Sequence, residues 1–393
     1  MIIILLLIYM TFIGLGMGGA MLGSAWPSMY GEFGVDAGAA GILSMVLSGS
    51  TILGGYLSAR LLRRFGTSIV LTGSIFMMGA ALLSFSFANH FVMLCLFAIA
   101  LGFGMGNVDT AGNSFLAIHY SAKYLNWLHC FWAVGATIGP IVMAFSLMHL
   151  GGWRVGYRVI GFTQLAFMLI LLATLSMWKK AFRQKGELTE ASSEETEEVL
   201  STSKLLCLPG TFSALVLFFF LGGIGAMMAL WSTTYLVSAR DISPETATSW
   251  LALYFLGLTI ARLFTGFLTM RLHSRQIIYL GLGIFAAGMI TLALPFMWSL
   301  RPGLVLAGIG LAPLFPNYVH NTASVFGKGH TRAMIGLQMV ASYVGVTLLP
   351  LLFGQLGSRL GYHLFPIFTG LLLVGMAVPT IILYIRHPDK TAQ

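Results

Sequence analysis

Twelve apolar stretches, most of about 20 residues or more, fill this chain: 2–29, 38–59, 68–88, 91–118, 126–149, 156–178, 207–237, 247–270, 276–296, 302–325, 333–356 and 361–385. A helix of about 20 residues crosses a hydrocarbon core about 30 Å thick. Only helices and closed barrels satisfy their own backbone groups there, and none of the stretches alternates with the period of two that a barrel strand requires. The pattern predicts an all-α polytopic membrane protein with twelve transmembrane helices. Composition agrees: charged residues make up 8% and hydrophobic residues 58%, against about 25% charged in an ordinary soluble domain.

The net charge of +9 does not point to nucleic acid, because the basic residues are scattered through short connections and form no polar face. Topology accounts for them. With the N-terminus inside, Arg60, Arg63, Arg64, Lys123, Lys179, Lys180, Arg183, Lys185, Lys204, Arg271, Arg275, Lys328, Arg332, Arg386 and Lys390 fall on the inner side. Arg154, Arg158, Arg240, Arg301 and Arg359 fall outside. The positive-inside rule then puts both termini in the cytoplasm of a multi-pass protein of the cell membrane. The opening "MIIILLLIYM" lacks a basic n-region and reads as the first span, not as a leader. Cys95, Cys130 and Cys207 have neither disulfide nor metal-ligand spacing, so no metal and no cofactor is expected.

Two segments repeat. "GYLSARLLRR" (55–64) and "GFLTMRLHSR" (266–275) align without a gap at an offset of 211, and "VGATIGP" (134–140) and "VGVTLLP" (344–350) at 210. Nearly equal offsets argue for duplication of a six-helix unit, the parallel-repeat construction of transporters that work by alternating access. The expected organisation is two pseudo-symmetric six-helix bundles, 1–178 and 205–393, joined by a cytoplasmic linker at 179–204. That linker holds six of the 12 acids and is rich in Ser and Thr, too polar to fold alone.

Twelve spans, a 6+6 repeat, a long charged central loop and the basic loop after the second helix resemble the major facilitator superfamily over essentially the whole chain. Within it, "GFGMGNVDTAGNSFL", "LNWLHCFWAVGATIGP" and "GGWRVGYR" are similar to the fucose:proton symporter-like sugar permeases and the sodium-dependent glucose transporters. Two positions depart from those patterns. Ala59 stands where the superfamily loop has Asp, and the first helix lacks the acid of the fucose permease. The resemblance implies a proton- or sodium-coupled sugar transporter.

One acid, Asp109, lies well inside a span. An ionisable group there costs about 2.5–3.5 kcal/mol and usually serves transport. Gly102, Gly106, Asp109 and Asn113 follow helical i, i+3/i+4 spacing, which puts the carboxylate and a carboxamide on one stripe. Asp109 is the expected proton carrier. Sodium is the alternative ion, with Asn107, Thr110 and Asn113 as the oxygens near it in sequence.

Substrate contacts are expected from Asn113, from Asn126, His129 and Trp132 at spacings of three on the fifth helix, and from Asn317, His320 and Asn321 beside Pro313 and Pro316 on the tenth. Arg262 sits nine residues from the basic end of its helix, about 13 Å at 1.5 Å per residue, too far to snorkel. It is read as a substrate ligand or as the partner of Asp109. Gln338, Tyr343, Trp231 and Tyr235 complete the candidate cavity. Arg60, Arg64, Arg271 and Arg275 are expected to latch the inner gate.

Three classes of function compete. A secondary transporter of a sugar or similar small hydroxylated solute fits the carboxamides and Arg262. A proton-driven exporter of amphiphilic drugs is the alternative, suggested by 22 Met and 29 Phe. A membrane-embedded enzyme is disfavoured: di-aspartyl proteolysis needs two intramembrane acids, and no nucleophile arrangement accompanies Asn126 and His129. No phosphate-binding loop occurs. The expected partners are the bilayer and a small-molecule substrate, and the chain is expected to work as a monomer.

Overall fold

The computed structural model describes residues 2–120, 122–178 and 202–387, without the side chains of Ala122, Lys123, Asn126, Thr202, Ser203, Lys328 and Arg332. Twelve helical segments are long and apolar enough to cross a membrane, and no strand occurs among the described residues. The first six are helix 1 (Ile2–Met29), helix 2 (Ala39–Phe65), helix 3 (Thr67–Phe85), helix 4 (Phe91–His119), helix 5 (Ala122–His149) and helix 6 (Trp153–Ala173). After a short turn of helix at Thr202–Leu206 come helix 7 (Thr211–Arg240), helix 8 (Pro244–Leu268), helix 9 (Ser274–Ala293), helix 10 in two pieces (Leu300–Leu311 and Leu314–Phe326), helix 11 (Thr331–Leu360) and helix 12 (Phe365–Arg386). Most of the expected linker, 179–201, lies outside the described residues.

Helix ends have local causes. Helix 2 runs six residues past its apolar stretch, through Arg60, Arg63 and Arg64, all exposed. Arginine is a good helix former, and its head stays in water while its stem continues the helix. Gly66, at φ +79°, stops it there, in a backbone region that L side chains avoid. Helix 10 breaks between Leu311 and Leu314, where Pro313 and Pro316 each withhold an N–H from the ladder.

The described residues form two compact units. One comprises those of Met1–Ser192 and Ser232–Leu256, the other those of Ser193–Trp231 and Gly257–Gln393. Parts of helices 7 and 8 therefore pack with the first bundle.

Inside the first unit, glycines bring backbones together. Gly16 and Gly135 leave no room for a Cβ where helices 1 and 5 cross, the obstructing atoms being the backbones of Trp132 and Ile13. Gly102 and Gly106 do the same against Leu47 and Thr51 of helix 2. Small residues at helix crossings let dispersion contacts replace the hydrophobic drive that lipid removes.

The loops after helices 1, 3 and 5 are tied at one end of this unit. Trp153 Nε1 donates to Glu32 Oε1 at 2.9 Å, Arg154 pairs with the same carboxylate, and Arg154 Nη2 reaches Ala88 O at 3.3 Å. The Arg154 guanidinium also lies 4.2 Å over the Trp153 ring. The "GGWR" segment thus clamps three loops.

Candidate functional site

Helix 4 presents Asp109 on the stripe expected from its spacing. Gly106 and Gly102, one and two turns away, are covered by helix 2, while Asp109 and Asn113 stay half-buried. Asn113 Nδ2 donates to Asp109 Oδ1 at 3.0 Å and to its carbonyl at 2.9 Å. No cation is found within ion-pair distance of Asp109 among the described residues. The carboxyl is held by a neutral carboxamide.

Next to this pair, the Phe12 ring lies where a Cβ on Gly112 would fall and stands edge-on to the His129 ring at 6.3 Å between centroids. Tyr9 stacks on Phe131 at 4.5 Å and donates to Tyr124 O at 3.1 Å. His129 and Trp132 are both half-buried. The Asn126 side chain lies outside the described residues. Of the oxygens considered for sodium, that of Asn113 belongs to the side chain on Asp109, whereas Asn107 is buried with Nδ2 on Phe103 O at 2.9 Å and its Oδ1 has no partner among the described residues. Among those residues no group of three or more His, Cys, Asp or Glu could hold a metal ion.

In the second unit the candidate residues divide. Asn317 is buried and donates to Pro313 O at 2.7 Å, one turn back in its own broken helix. Asn321 donates to Tyr384 OH at 3.0 Å. Thr322 donates to Gln338 Oε1 at 3.0 Å, and Tyr318 shares a 2.7 Å bond with Thr380. Asn321, Thr322, Gln338, Tyr318 and Tyr384 line one small cavity, with Phe218 on its apolar side. His320 does not join its neighbours: it is exposed, with Nδ1 3.3 Å from Ser274 Oγ. Tyr343 is 36% exposed on helix 11, and Arg262 is half-buried on helix 8. Trp231 is buried with Nε1 on Pro350 O at 3.1 Å; Tyr235, in the part of helix 7 that belongs to the first unit, is buried with its OH accepting from Arg240 Nε at 2.7 Å.

Of the arginines expected at an inner gate, Arg60, Arg64 and Arg271 are exposed. Arg275 is placed otherwise. Its guanidinium lies 4.5 Å over the Tyr384 ring, and it donates to Tyr384 O at 3.4 Å and to His387 O. A cation on the last carbonyls of helix 12 is a C-terminal cap, favoured by the negative end of the helix dipole.

The family model described as Major Facilitator Superfamily matches residues 8–243 and 214–393. The chain belongs to the Major Facilitator Superfamily. That family is one of membrane transporters, and the described residues hold twelve helical segments of membrane-spanning length and hydropathy. The fold agrees with a solved facilitator, a bacterial homologue of the human lysosomal transporter Spinster in an inward-facing, unoccupied conformation, at a TM-score of 0.72 and 12% identity over 97% of this chain and 95% of that one. Among curated relatives, the uncharacterized MFS-type transporter YcaD of Salmonella enteritidis PT4 is 34% identical over 125 residues, 31% of this chain and 32% of its own. The 4-hydroxybenzoate transporter PcaK of Acinetobacter baylyi is 24% identical over 179 residues, 44% of this chain and 39% of its own. The matched region thus spans about a third of the first relatives' length.

Sequence reasoning passed over Phe12, Tyr9, Thr380 and Tyr384 in this facilitator. Phe12 and Tyr9 sit in an unbroken apolar run, where nothing separates a ring facing lipid from one facing helix 4. Tyr384 was more accessible, as a phenol one turn from the end of the last helix that needs a partner if buried.

Proposed function

We propose that this facilitator is a proton-coupled secondary transporter of a sugar or similar small hydroxylated solute, with Asp109 as the proton carrier, working by alternating access. The observation that carries the reading is the state of Asp109: half-buried in a transmembrane helix, bonded to Asn113, and free of any ion pair among the described residues. A salt-bridged carboxylate is held ionised by its partner. One beside a carboxamide can take a proton and cross the apolar layer uncharged, then lose it on meeting water. Loop charge supports an orientation with both termini in the cytoplasm.

Within the first unit Asn113, His129 and Trp132 are each proposed as solute contacts, and so, within the second unit, are Asn321, Gln338 and Arg262. A second solute class has its own support. PcaK carries the name of a hydroxybenzoate transporter, and the Tyr9–Phe131 and Phe12–His129 ring pairs offer aromatic faces on which a hydroxylated aromatic acid would stack.

A thermal-shift screen of purified protein against sugars, hydroxybenzoates and cationic drugs identifies the class, since a ligand that binds the native state raises Tm. The hit then goes into proteoliposomes. Asp109→Asn is expected to abolish accumulation driven by an imposed pH gradient and to leave solute exchange largely intact. Accumulation by Asp109→Asn under that gradient would remove Asp109 as carrier, and dependence on sodium at fixed pH would move the coupling to that ion.

A further inference from the structure

Helix 1 contains Pro27 near its end. Proline has no N–H, so the carbonyl four residues earlier, Gly23 O, is left without its helical donor. In this structure Thr233 Oγ1 of helix 7 donates to that carbonyl. One residue on, Thr248 Oγ1 of helix 8 lies 2.7 Å from Ser24 O and 2.7 Å from Pro244 O, sharing its one proton between them. All these residues belong to the first compact unit.

The surface that makes these bonds is unusual in composition. Residues 232–236, "STTYL", are buried on every side of the helix. Ser232, Thr233, Thr234 and Thr248 are each 0% exposed. A stretch that stayed buried would pack as well with Val or Ala and would carry no hydroxyl to satisfy. Thr234 Oγ1 has no partner among the described residues. Hydroxyls that meet a freed carbonyl in one state and water in another suit a surface that parts.

We propose that Thr233 and Thr248 form a reversible latch on the carbonyls beside Pro27, closed in this structure and open to water in another state of the cycle; the inference rests on the alternating-access reading above. Thr233 and Pro27 are then a matched pair. With Pro27 present, loss of the Thr233 hydroxyl leaves Gly23 O bare when the latch is shut, and the open state gains. With Ala at 27, the helix supplies its own N–H to Gly23 O and the hydroxyl becomes dispensable.

The test uses full-length protein with Cys95, Cys130 and Cys207 replaced by Ser and a Thr234→Cys reporter, and measures its rate of modification by a charged methanethiosulfonate, which reacts only where water reaches. Thr233→Val is expected to speed labelling by roughly tenfold with Pro27 in place and by no more than about twofold in the Pro27→Ala background. Thr233→Ser, which keeps the hydroxyl, is expected to label within about twofold of the parent. Equal acceleration in both backgrounds would mean that Thr233→Val merely loosens packing, and no acceleration in either would mean that the segment never opens; each result overturns the latch. The readout needs no solute. Labelling as expected in a protein that moves no solute would fault the transport reading alone, and transport with an inert reporter in every background would fault the latch alone.

Discussion

Helix 5 meets helix 1 in the first half, and helix 11 meets helix 7 in the second, through equivalent glycines. Gly135 lies against the backbone of Ile13, and Gly345 against that of Phe219. The threonine two residues on bonds back in both, Thr137 to Ala133 O and Thr347 to Tyr343 O, each at 2.9 Å. One turn further the halves part. Gly139 of helix 5 fits against the Met17 backbone, whereas its counterpart Leu349 lays its side chain over Gly223 of helix 7. The glycine meets a backbone in the first crossing and a leucine side chain in the second. Duplication kept the close approach at Gly135 and Gly345 but not the contact one turn further on, where the two crossings are filled differently.

The largest expected effect tests that difference. Gly139→Leu puts a side chain where a Cβ would already stand 2.8 Å from Met17 O, and about 3 kcal/mol of destabilisation is expected. Adding Met17→Gly leaves that backbone oxygen in place, so the double variant is expected to recover little of the loss. The measurement is the midpoint of thermal unfolding of the purified protein for the four members of the cycle. Recovery of most of the loss in the double variant would break the comparison, since side-chain bulk and not the backbone would then set the fit.

The repeated basic segments differ more. Arg64 ends helix 2 exposed, 5.3 Å over the ring of Phe65, while Arg275, its counterpart at the start of helix 9, closes the end of helix 12 through Tyr384 and His387. Identical residues at repeat-equivalent positions therefore have different work. Arg275→Ala is expected to cost about 1–2 kcal/mol, the value of a capping cation with its hydrogen bonds. Arg64→Ala is expected to stay within about 0.5 kcal/mol, as surface changes do. Thermal unfolding of both variants checks the difference, and equal losses would return Arg275 to a shared role with Arg64.

Twelve spans were legible because hydropathy over about 20 residues is a statement about the bilayer, and every stretch became a helix. Their ends were less so: helix 2 continues through three arginines that hydropathy counts as loop. The stripe of Asp109 and Asn113 was legible from helical spacing alone, since both residues are on one element. The fates of Asn321 and His320 were not. Asn321 finds Tyr384 across 63 residues of chain, and His320 finds Ser274 across 46. Periodicity places a side chain on a face but is silent about what covers that face. The bond of Thr233 to Gly23 O spans 210 residues, and there the sequence offered only its first half, a proline inside a helix.

The smallest expected effect separates the two halves at their first repeated glycine. Gly55 of helix 2 faces helix 4, and a Cβ there would lie 3.3 Å from Thr110 Oγ1; at Gly266 of helix 8 a Cβ would meet nothing within 4 Å. The surroundings agree, for Ser58 beneath Gly55 is 0% exposed, whereas Phe267 and Met270 beside Gly266 are 69% and 80% exposed. Alanine in a helix interior gains about 0.5–1 kcal/mol over glycine through lost backbone freedom in the unfolded chain. At Gly266, two residues from the helix end, the lower figure applies, so Gly266→Ala is expected to stabilise by about 0.5 kcal/mol. At Gly55 the same gain is set against a contact tighter than ordinary packing, which Thr110 must relieve by moving. It does so at the expense of its neighbours on the Asp109 stripe, so Gly55→Ala is expected to be neutral or slightly destabilising. Thermal unfolding resolves the sign. A gain at Gly55 equal to that at Gly266 would mean that helix 2 yields as freely as helix 8, and the closer packing of the first half around Asp109 would then be a matter of distance alone, not of constraint.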